Sequence, residues 1–166
     1  ILRDHGYRQY EISNFSRKGR VSRHNLKYWN GDEYIGFGPA AHSYFGGKRF
    51  SFKKDLKLYI NTFDQTKKVS EPIIDEYIDI PYTARIAEYV MLRFRLNDGI
   101  NKEMFRKRFD KKFDDVYYNR IKPFIASGHI VETKNGYAFT LKGMCVSNYI
   151  LARVVDFDLV IPGTNS

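Results

Sequence analysis

Cysteine is almost absent from this chain of 166 residues, which contains only Cys145. A single thiol excludes a disulfide framework, and it suits the reducing cytoplasm. Cys145 lies in the apolar helical segment LKGMCVSNYI, in which no histidine is adjacent to it. The sequence therefore predicts a buried, inert thiol at this position and not a nucleophile.

Long apolar runs are also missing, since no segment approaches the roughly 20 residues that span a bilayer. The N-terminus has no signal-peptide core, so we expect no integral membrane segment. The chain opens on Ile1 and continues directly into charged residues, which indicates a piece of a longer protein. Its apolar fraction of 43% and aromatic fraction of 16% suffice for a packed core, which argues against intrinsic disorder.

Acidic residues are outnumbered, with 19 Asp and Glu against 28 Lys and Arg and a net charge of +9. Such a charge suits nucleic acid, because cationic side chains release counterions from phosphates. It equally suits a solvated basic surface or an anionic small molecule such as a carboxylated ring. Charge alone leaves these alternatives open.

The first fifty residues carry short strand patterns. YEISNF at 10–15 alternates in polarity, SRKGR at 16–20 is a basic turn, and YIGFGPAAHSYF at 34–45 is typical of a buried strand. Two strands alone cannot bury a sheet face, so residues 1–50 are predicted to end a larger α/β unit. Exposed strand edges of such a unit favour dimerisation.

Helical patterns dominate from Phe52 onward. Apolar spacing predicts one helix in FKKDLKLYINTFDQ and a second that begins near Pro81. Two more are predicted in NKEMFRKRF and DDVYYNRIKPFIASG. Pro123 is expected to kink the latter helix or to start a new turn.

A hairpin and a final helix follow these helices. The segment HIVETKNGYAFTLKG predicts two strands around a type I′ turn at Asn135-Gly136, and Thr140 is placed to cap the last helix. Helices followed by a hairpin are typical of a winged helix. We therefore expect an α+β chain in three parts: the end of a partial (β/α) barrel at 1–50, a mostly helical winged-helix-like domain at 51–155, and an unassigned tail at 156–166.

The segment SRHNLKYW concentrates unusual side chains. His24 and Tyr28 are four residues apart and would share one face of a helix, with Trp29 beside them. A neutral histidine among aromatic rings can ligate haem iron. The alternative is a histidine that caps a loop beside a surface tryptophan.

The segment GFGPAAHSY offers small residues. Gly36, Gly38 and Ala41 leave room for backbone to approach a ligand, or alternatively for tight packing in a barrel wall. His42 could point into a cavity or satisfy a hydrogen bond in a core. Glu11, in an apolar strand pattern, could contact a cofactor or belong to a buried ion pair.

Five segments together carry a resemblance: YEISNF, SRHNLKYW, YIGFGPAAHSY, MLRFRLNDGI and FTLKGMCVSNYI. In order and spacing they resemble the C-terminal part of the oxygen-independent coproporphyrinogen III oxidase-like radical SAM family, and within it the branch described as haem chaperones looks closest. The resemblance runs from about Leu2 to Arg153. It implies a partial (β/α) barrel that carries an iron–sulfur cluster and S-adenosylmethionine, followed by a helical, winged-helix-like domain.

The resemblance also assigns roles. The family's HNxxYW motif, implicated in haem handling, falls on His24, Asn25, Tyr28 and Trp29, with His24 as the candidate iron ligand. The barrel's last strand falls on residues 36–44, near the expected place of S-adenosylmethionine. The candidate cofactor-binding residues are Glu11, Gly36, Gly38, Ala41 and His42. Relatives often carry glycine where this chain has Ala41.

The cofactors implied for the full-length parent are a [4Fe–4S] cluster, S-adenosylmethionine and, in the chaperone branch, haem. The family holds its cluster with three cysteines in a CxxxCxxC run, and a single thiolate cannot replace them. The cluster loop is therefore expected upstream, with no catalytic residue and no complete cofactor site in this chain. The parent resembles an oxidoreductase, whereas this chain alone is expected to be inactive.

Three functions follow from these patterns. The first is haem binding and transfer to an acceptor protein, which His24 favours because an iron-free porphyrinogen offers it no metal. The second is a genuine oxidase that decarboxylates porphyrinogen propionates, whose carboxylates suit Arg and Lys. The third, a winged-helix nucleic-acid binder, is disfavoured because its recognition helix would open with Asp114 and Asp115 and contain Pro123.

Overall fold

The computed structural model describes residues 1–64, 66, 68 and 72–155, and this part of the chain mixes helices with strands as predicted. Its strands are β1 (Tyr7–Gln9), β2 (Phe15–Arg17), β3 (His42–Phe45), β4 (Lys48–Phe52), β5 (Ile74–Asp79), β6 (Ile100–Asn101), β7 (Ile130–Thr133) and β8 (Gly136–Phe139). Its α-helices are α1 (Arg23–Trp29), α2 (Leu56–Phe63), α3 (Tyr82–Arg93), α4 (Lys102–Phe109), α5 (Phe113–Ala126), α6 (Leu141–Cys145) and α7 (Ser147–Val154). A 3₁₀ helix, Arg3–His5, precedes β1.

The strands form three small sheets. β1 pairs with β2, β4 lies between β3 and β5, and β8 lies between β6 and β7. All pairs among the described strands are antiparallel, whereas neighbouring strands of a (β/α) barrel run parallel. The partial barrel thus stays a prediction about the longer parent protein.

The chain divides into two compact units. The first contains Ile1–Gly31 and the described residues from Ile86 onward, and the second contains Asp32–Arg85. The predicted boundaries at residues 50 and 155 concern the parent protein and stay a prediction, and the tail at 156–166 lies outside the described residues. Within the described part of the chain, no helix is long and apolar enough to cross a membrane.

The core of the first unit lies among α3, α4, α5, α7 and the β6–β8–β7 sheet. Val90 of α3 and Phe94, which directly follows this helix, are fully buried. Phe105 of α4 meets Phe113 of α5 edge to face, with ring centroids 5.3 Å apart. Such ring pairs stabilise a core beyond the burial of their area.

The helices in the last third of the chain can be compared with the predicted cap and the predicted effect of proline. The Thr140 hydroxyl accepts a 3.1 Å hydrogen bond from the Gly143 amide, so the predicted cap is confirmed. The final helix is broken at Val146 into α6 and α7. Pro123 does not end α5, which continues to Ala126.

The predicted hairpin is present, but its turn lies one residue earlier than expected. Thr133 pairs with Gly136, so the loop is Lys134-Asn135, and neither of these residues has a positive φ. A type I′ turn needs positive φ at both loop positions. Gly136 is instead required because a Cβ there would overlap the backbone of Ile100 on β6.

The strand predicted at residues 10–15 is wrong. Phe15 already belongs to β2, and residues 10–14 connect β1 to it, with the Tyr10 amide donating to the Asn14 carbonyl across 3.1 Å. Within this connection Glu11 forms only an isolated bridge to Leu96. The alternating pattern belongs to a turn flanked by short strands.

The strand predicted at 34–45 is shorter than expected. Tyr34 and Tyr44 form an isolated antiparallel bridge, so the chain reverses between them and only His42–Phe45 is strand. Gly38 has a φ of +107° and Ala40 a φ of +58°. These left-handed conformations cannot continue an extended strand.

Candidate functional site

The helix α1 carries the histidine–aromatic motif. The Ser22 hydroxyl accepts a 3.2 Å hydrogen bond from the Asn25 amide, which caps the first turn. At the other end, the Asn30 side chain accepts from Arg93, and the Asn30 carbonyl accepts from Arg108 across 2.8 Å. Because these two arginines belong to α3 and α4, the helix is fastened to the core of the first unit.

His24 and Tyr28 form a pair on the exposed face of α1. The Tyr28 hydroxyl lies 3.2 Å from His24 Nε2. Their rings meet nearly at right angles, with an interplanar angle of 87° and centroids 5.0 Å apart. Both side chains are exposed, whereas Asn25 and Trp29 are half-buried. The predicted sharing of one helix face by His24 and Tyr28 is thus present.

This geometry suits a single axial ligand for a planar metal complex. An exposed imidazole can donate a lone pair to haem iron, and neighbouring aromatic rings can cover the macrocycle. Iron at Nε2 would replace the Tyr28 hydroxyl. The alternative of a loop-capping histidine does not apply, since His24 lies within α1 and its hydrogen bond is to a side chain of the same helix.

Glu11 is the other distinctive residue of the first unit. Its side chain is fully buried, and Oε2 accepts a 3.0 Å hydrogen bond from the Ser13 amide. Oε1 is buried without a hydrogen-bond partner among the described residues. A buried carboxylate with one unpaired oxygen is costly, and it is complementary in charge to a cation or a hydrogen-bond donor.

The remaining predicted cofactor residues lie in the second unit. A Cβ at Gly36 would sit 2.5 Å from the His42 carbonyl oxygen, so this glycine accommodates the chain's own backbone. Gly38, by contrast, faces open space. Ala41 is half-buried, and its carbonyl accepts from the Phe52 amide across 3.0 Å. His42 is exposed at the start of β3, so it does not belong to a core.

A basic cleft in the first unit was not found from the sequence. It has a volume of about 580 Å³, and its cationic lining residues are Arg3, Arg8 and Lys18. Gln9 and Asn97 contribute amide groups. Such a lining is complementary to carboxylate or phosphate groups. The cations are scattered in sequence, and only the high Arg and Lys content of the first twenty residues hinted at the cleft.

The residues present do not fit an iron–sulfur cluster. Among the described residues, no group of three or more His, Cys, Asp or Glu side chains is placed to hold a metal ion. Cys145 is exposed, which corrects the prediction of a buried thiol. Its helix α6 presents this position to solvent because Gly143, two residues earlier, faces the core.

Comparison with known proteins bears on these sites. Residues 80–146 match the family model described as the HemN C-terminal domain. This region is therefore similar to a HemN C-terminal domain. A relative named heme chaperone HemW, from Bacillus subtilis, is 32% identical over 146 residues, which are 88% of this chain and 38% of that protein.

Two further proteins extend the comparison beyond the HemN C-terminal domain. The mouse protein named radical S-adenosyl methionine domain-containing protein 1, mitochondrial, is 56% identical over 45 residues, which are 27% of this chain and 10% of that protein. The solved structure of coproporphyrinogen III oxidase (HemN) from Escherichia coli, a radical SAM enzyme, superposes with a TM-score of 0.64 at 17% identity. It covers 94% of this chain and 38% of that chain.

These findings confirm the resemblance to the oxidase-like radical SAM family and to its haem chaperones. The likeness to the solved enzyme shows a shared fold. The chain spans less than half the length of the Bacillus subtilis relative and of the solved enzyme, 38% in each case.

Proposed function

We propose that this chain is the C-terminal part of a radical SAM protein that binds haem and transfers it to an acceptor protein. The single observation that carries the proposal is the exposed His24–Tyr28 pair on α1, in a chain whose relative is a named heme chaperone. In this proposal His24 ligates the iron, while Tyr28 and Trp29 cover the edge of the macrocycle. The backbone amide of Asn25 donates to the Ser22 hydroxyl that caps α1, and the Asn25 side chain is proposed to border the haem.

The parent protein would supply the iron–sulfur cluster and the bulk of the S-adenosylmethionine site. Within this chain, Glu11 fits a cationic or donor group of such a cofactor, because Oε1 is buried and unpaired. Gly38 and Ala41 would border the cofactor, whereas Gly36 would serve backbone packing at the same loop. The chemistry that such a cofactor would supply is reductive generation of a radical.

The finer architecture is also part of the proposal. The helices α3, α4 and α5 followed by the β7–β8 hairpin, with β6 on its edge, support a winged-helix-like domain. Residues 1–50 would complete a partial (β/α) barrel of the parent, and exposed strand edges there would form a dimer contact. The absence of cysteine pairs supports a cytoplasmic location.

The rival functions have weaker support. Nucleic-acid recognition by α5 is opposed by Asp114 and Asp115 in its first turn, which would face phosphates with negative charge. Oxidation of a porphyrinogen has support from the solved enzyme only at the level of fold.

The proposal is tested by titrating the 166-residue protein with haemin and following the Soret band. We expect His24→Ala to weaken binding by at least about tenfold, because the axial ligand is lost. His5→Ala is the matched control, since His5 is exposed outside α1 and its imidazole hydrogen-bonds to the Ile1 carbonyl. Equal affinities for the wild type, His24→Ala and His5→Ala would refute the role of His24.

A further inference from the structure

A second pocket lies on the helical part of the first unit, away from α1 in sequence. It has a volume of about 340 Å³ and is lined by Phe124, His129, Val146, Tyr149 and Ile150. Its lining is almost wholly apolar apart from the imidazole. This volume is at the lower end of small-molecule sites in proteins, so an open pocket of this size can hold one face of a larger planar ligand.

The imidazole of His129 is oriented by its neighbour. Ser127 Oγ lies 2.8 Å from His129 Nδ1 and also donates a 3.3 Å hydrogen bond to the Phe124 carbonyl. The Ser127 hydroxyl, which is placed to donate to the Phe124 carbonyl, can accept a hydrogen bond from an Nδ1–H. In that tautomer the lone pair of His129 Nε2 is available to a ligand. Histidines that bind metals are oriented by a partner at the second ring nitrogen in the same manner.

The backbone beneath this histidine is held on both sides. The His129 amide donates to the Phe124 carbonyl across 2.9 Å, and the His129 carbonyl accepts from the Thr140 amide across 3.0 Å. These bonds fix the turn between α5 and β7 relative to the start of α6. The imidazole therefore stands on a rigid support, as a preorganised ligand requires.

Two cations flank the residues that form the pocket. Lys142 Nζ donates to the Ser127 carbonyl across 3.3 Å. The Arg153 guanidinium stacks on Tyr149, 3.6 Å from the ring centroid. The surroundings of the pocket are thus positive, which is complementary to a ligand that combines an apolar ring with peripheral carboxylates.

We infer that this pocket is a second haem-binding site, with His129 Nε2 as axial ligand to the iron. The choice of haem as the ligand rests on the proposed function, whereas the pocket and the orientation of His129 do not depend on it. The pocket combines apolar walls, formed by Phe124 and Tyr149, with one imidazole. An apolar ligand without a metal or a donor would leave the imidazole unpaired, and a small polar anion would face the apolar walls. A carboxylated metal macrocycle matches both the walls and the imidazole.

Binding at this site is ligand exchange on ferric haem. The Nε2 lone pair forms the iron–nitrogen bond as a water ligand leaves, and neither the iron nor the protein changes its oxidation state. Two haem sites with different axial ligands would suit a protein that both receives and delivers haem. One site could release its haem to an acceptor while the other site keeps its own haem bound.

The experiment is haemin titration of the 166-residue protein and four variants, with Soret stoichiometry as the readout. We expect two haems per chain for the wild type and one each for His24→Ala and His129→Ala. The double variant is expected to bind no haem at a saturable site. Ser127→Ala keeps the imidazole but loses its orientation, and it is expected to weaken the second site about tenfold. Far-UV circular dichroism and the urea midpoint check the fold of each variant.

Val146→Trp provides a second test that leaves the imidazole in place. Val146 is partly exposed at the pocket, so a tryptophan there fills the space for the macrocycle and is expected to remove the second haem. Iron-free protoporphyrin separates the contribution of ring packing from that of iron ligation. Its binding should be weakened by Val146→Trp and unchanged by His129→Ala.

The outcomes distinguish the second haem site at His129 from the role proposed for His24. If stoichiometry and affinity are unchanged by both His129→Ala and Val146→Trp, the second site is refuted, whatever His24→Ala does. If His129→Ala removes one haem while His24→Ala has no effect, the second site stands and the role proposed for His24 fails.

Discussion

The Arg93 guanidinium donates a 2.6 Å hydrogen bond from Nη1 to Oδ1 of Asn30, a residue 63 positions away. Arg93 is only 7% exposed, and its Nε donates to the Gly99 carbonyl across 3.0 Å. A buried guanidinium requires acceptors for its donors. Asn30 ends α1, so this bond fastens the helix with the histidine–aromatic pair to the aromatic core.

Asn30→Ala is expected to destabilise the first unit. The substitution leaves a buried, charged donor without its acceptor, which costs about 1–3 kcal/mol. Urea unfolding measures this as a fall in the free energy of unfolding. Lys27→Ala, at an exposed position of the same helix, should change it by less than about 0.5 kcal/mol. Equal effects of the two substitutions would contradict the anchoring role of Arg93.

The helical half of this fold could be predicted because its signals are local. The apolar spacing that includes Val90 and the cap at Thr140 are patterns of only a few consecutive residues. Each such pattern predicts a helix without knowledge of distant parts of the chain. The helices predicted from Pro81 onward therefore agree closely with the described structure, although the last one is broken at Val146. The hairpin turn was displaced by one residue, because Gly136 is required by its close contact with the neighbouring strand β6.

The first half could not be predicted to the same extent because its strands are short and depend on distant partners. The segment Ile74–Asp79 is a strand only through pairing with β4, and its charged sequence gave no signal. In the site, His24 and Tyr28 were predictable from helical spacing. The pocket at His129 was not, because its walls come from α5 and α7, about twenty residues apart in sequence.

Tyr28→Phe and Tyr28→Ala should affect haem binding in opposite directions. The Tyr28 hydroxyl occupies His24 Nε2, so Phe removes a competitor whose hydrogen bond contributes about 0.5–1.5 kcal/mol. We expect tighter haem binding by up to about tenfold, whereas Ala removes the covering ring and weakens it. Haemin titration measures both. Weaker binding by the Phe variant would indicate that the hydroxyl itself assists the ligand.

Glu11→Gln is expected to stabilise the isolated chain. The carboxylate is fully buried and Oε1 has no partner, while Gln keeps an oxygen for the Ser13 amide and removes the buried charge. The free energy of unfolding in urea should rise by about 1 kcal/mol or more. Glu76→Gln, exposed on β5, should leave it unchanged. A loss of stability would mean that the Glu11 charge is already compensated within this chain.

Alkaline pH should weaken the fold through Tyr137. Burial raises the pKa of Tyr137 above its ordinary value of 10.0. The pKa of Lys102 is also raised by hydrogen bonds to Asp114 and Tyr137, although burial alone would lower it. A group whose pKa is higher in the folded than in the unfolded state stabilises the fold at pH values below its unfolded-state pKa. This stabilisation is lost as the pH rises through the folded-state pKa. The urea midpoint should therefore fall above about pH 10, and less steeply in Tyr137→Phe.

Gly143→Ala tests whether packing or helix propensity decides stability beside the second pocket. Alanine in the interior of a helix is favoured over glycine by about 1 kcal/mol, so propensity alone predicts stabilisation. The structure predicts the reverse, because a Cβ at Gly143 would overlap the His129 carbonyl and lie 3.0 Å from the Phe139 ring. The backbone that supports the imidazole would have to move, so we expect a lower urea midpoint and a weaker second haem together. Lys142→Ala, next to it but exposed, should leave the urea midpoint almost unchanged. A Gly143→Ala protein more stable than the wild type would show that α6 and the His129 turn are not packed as closely as the structure describes.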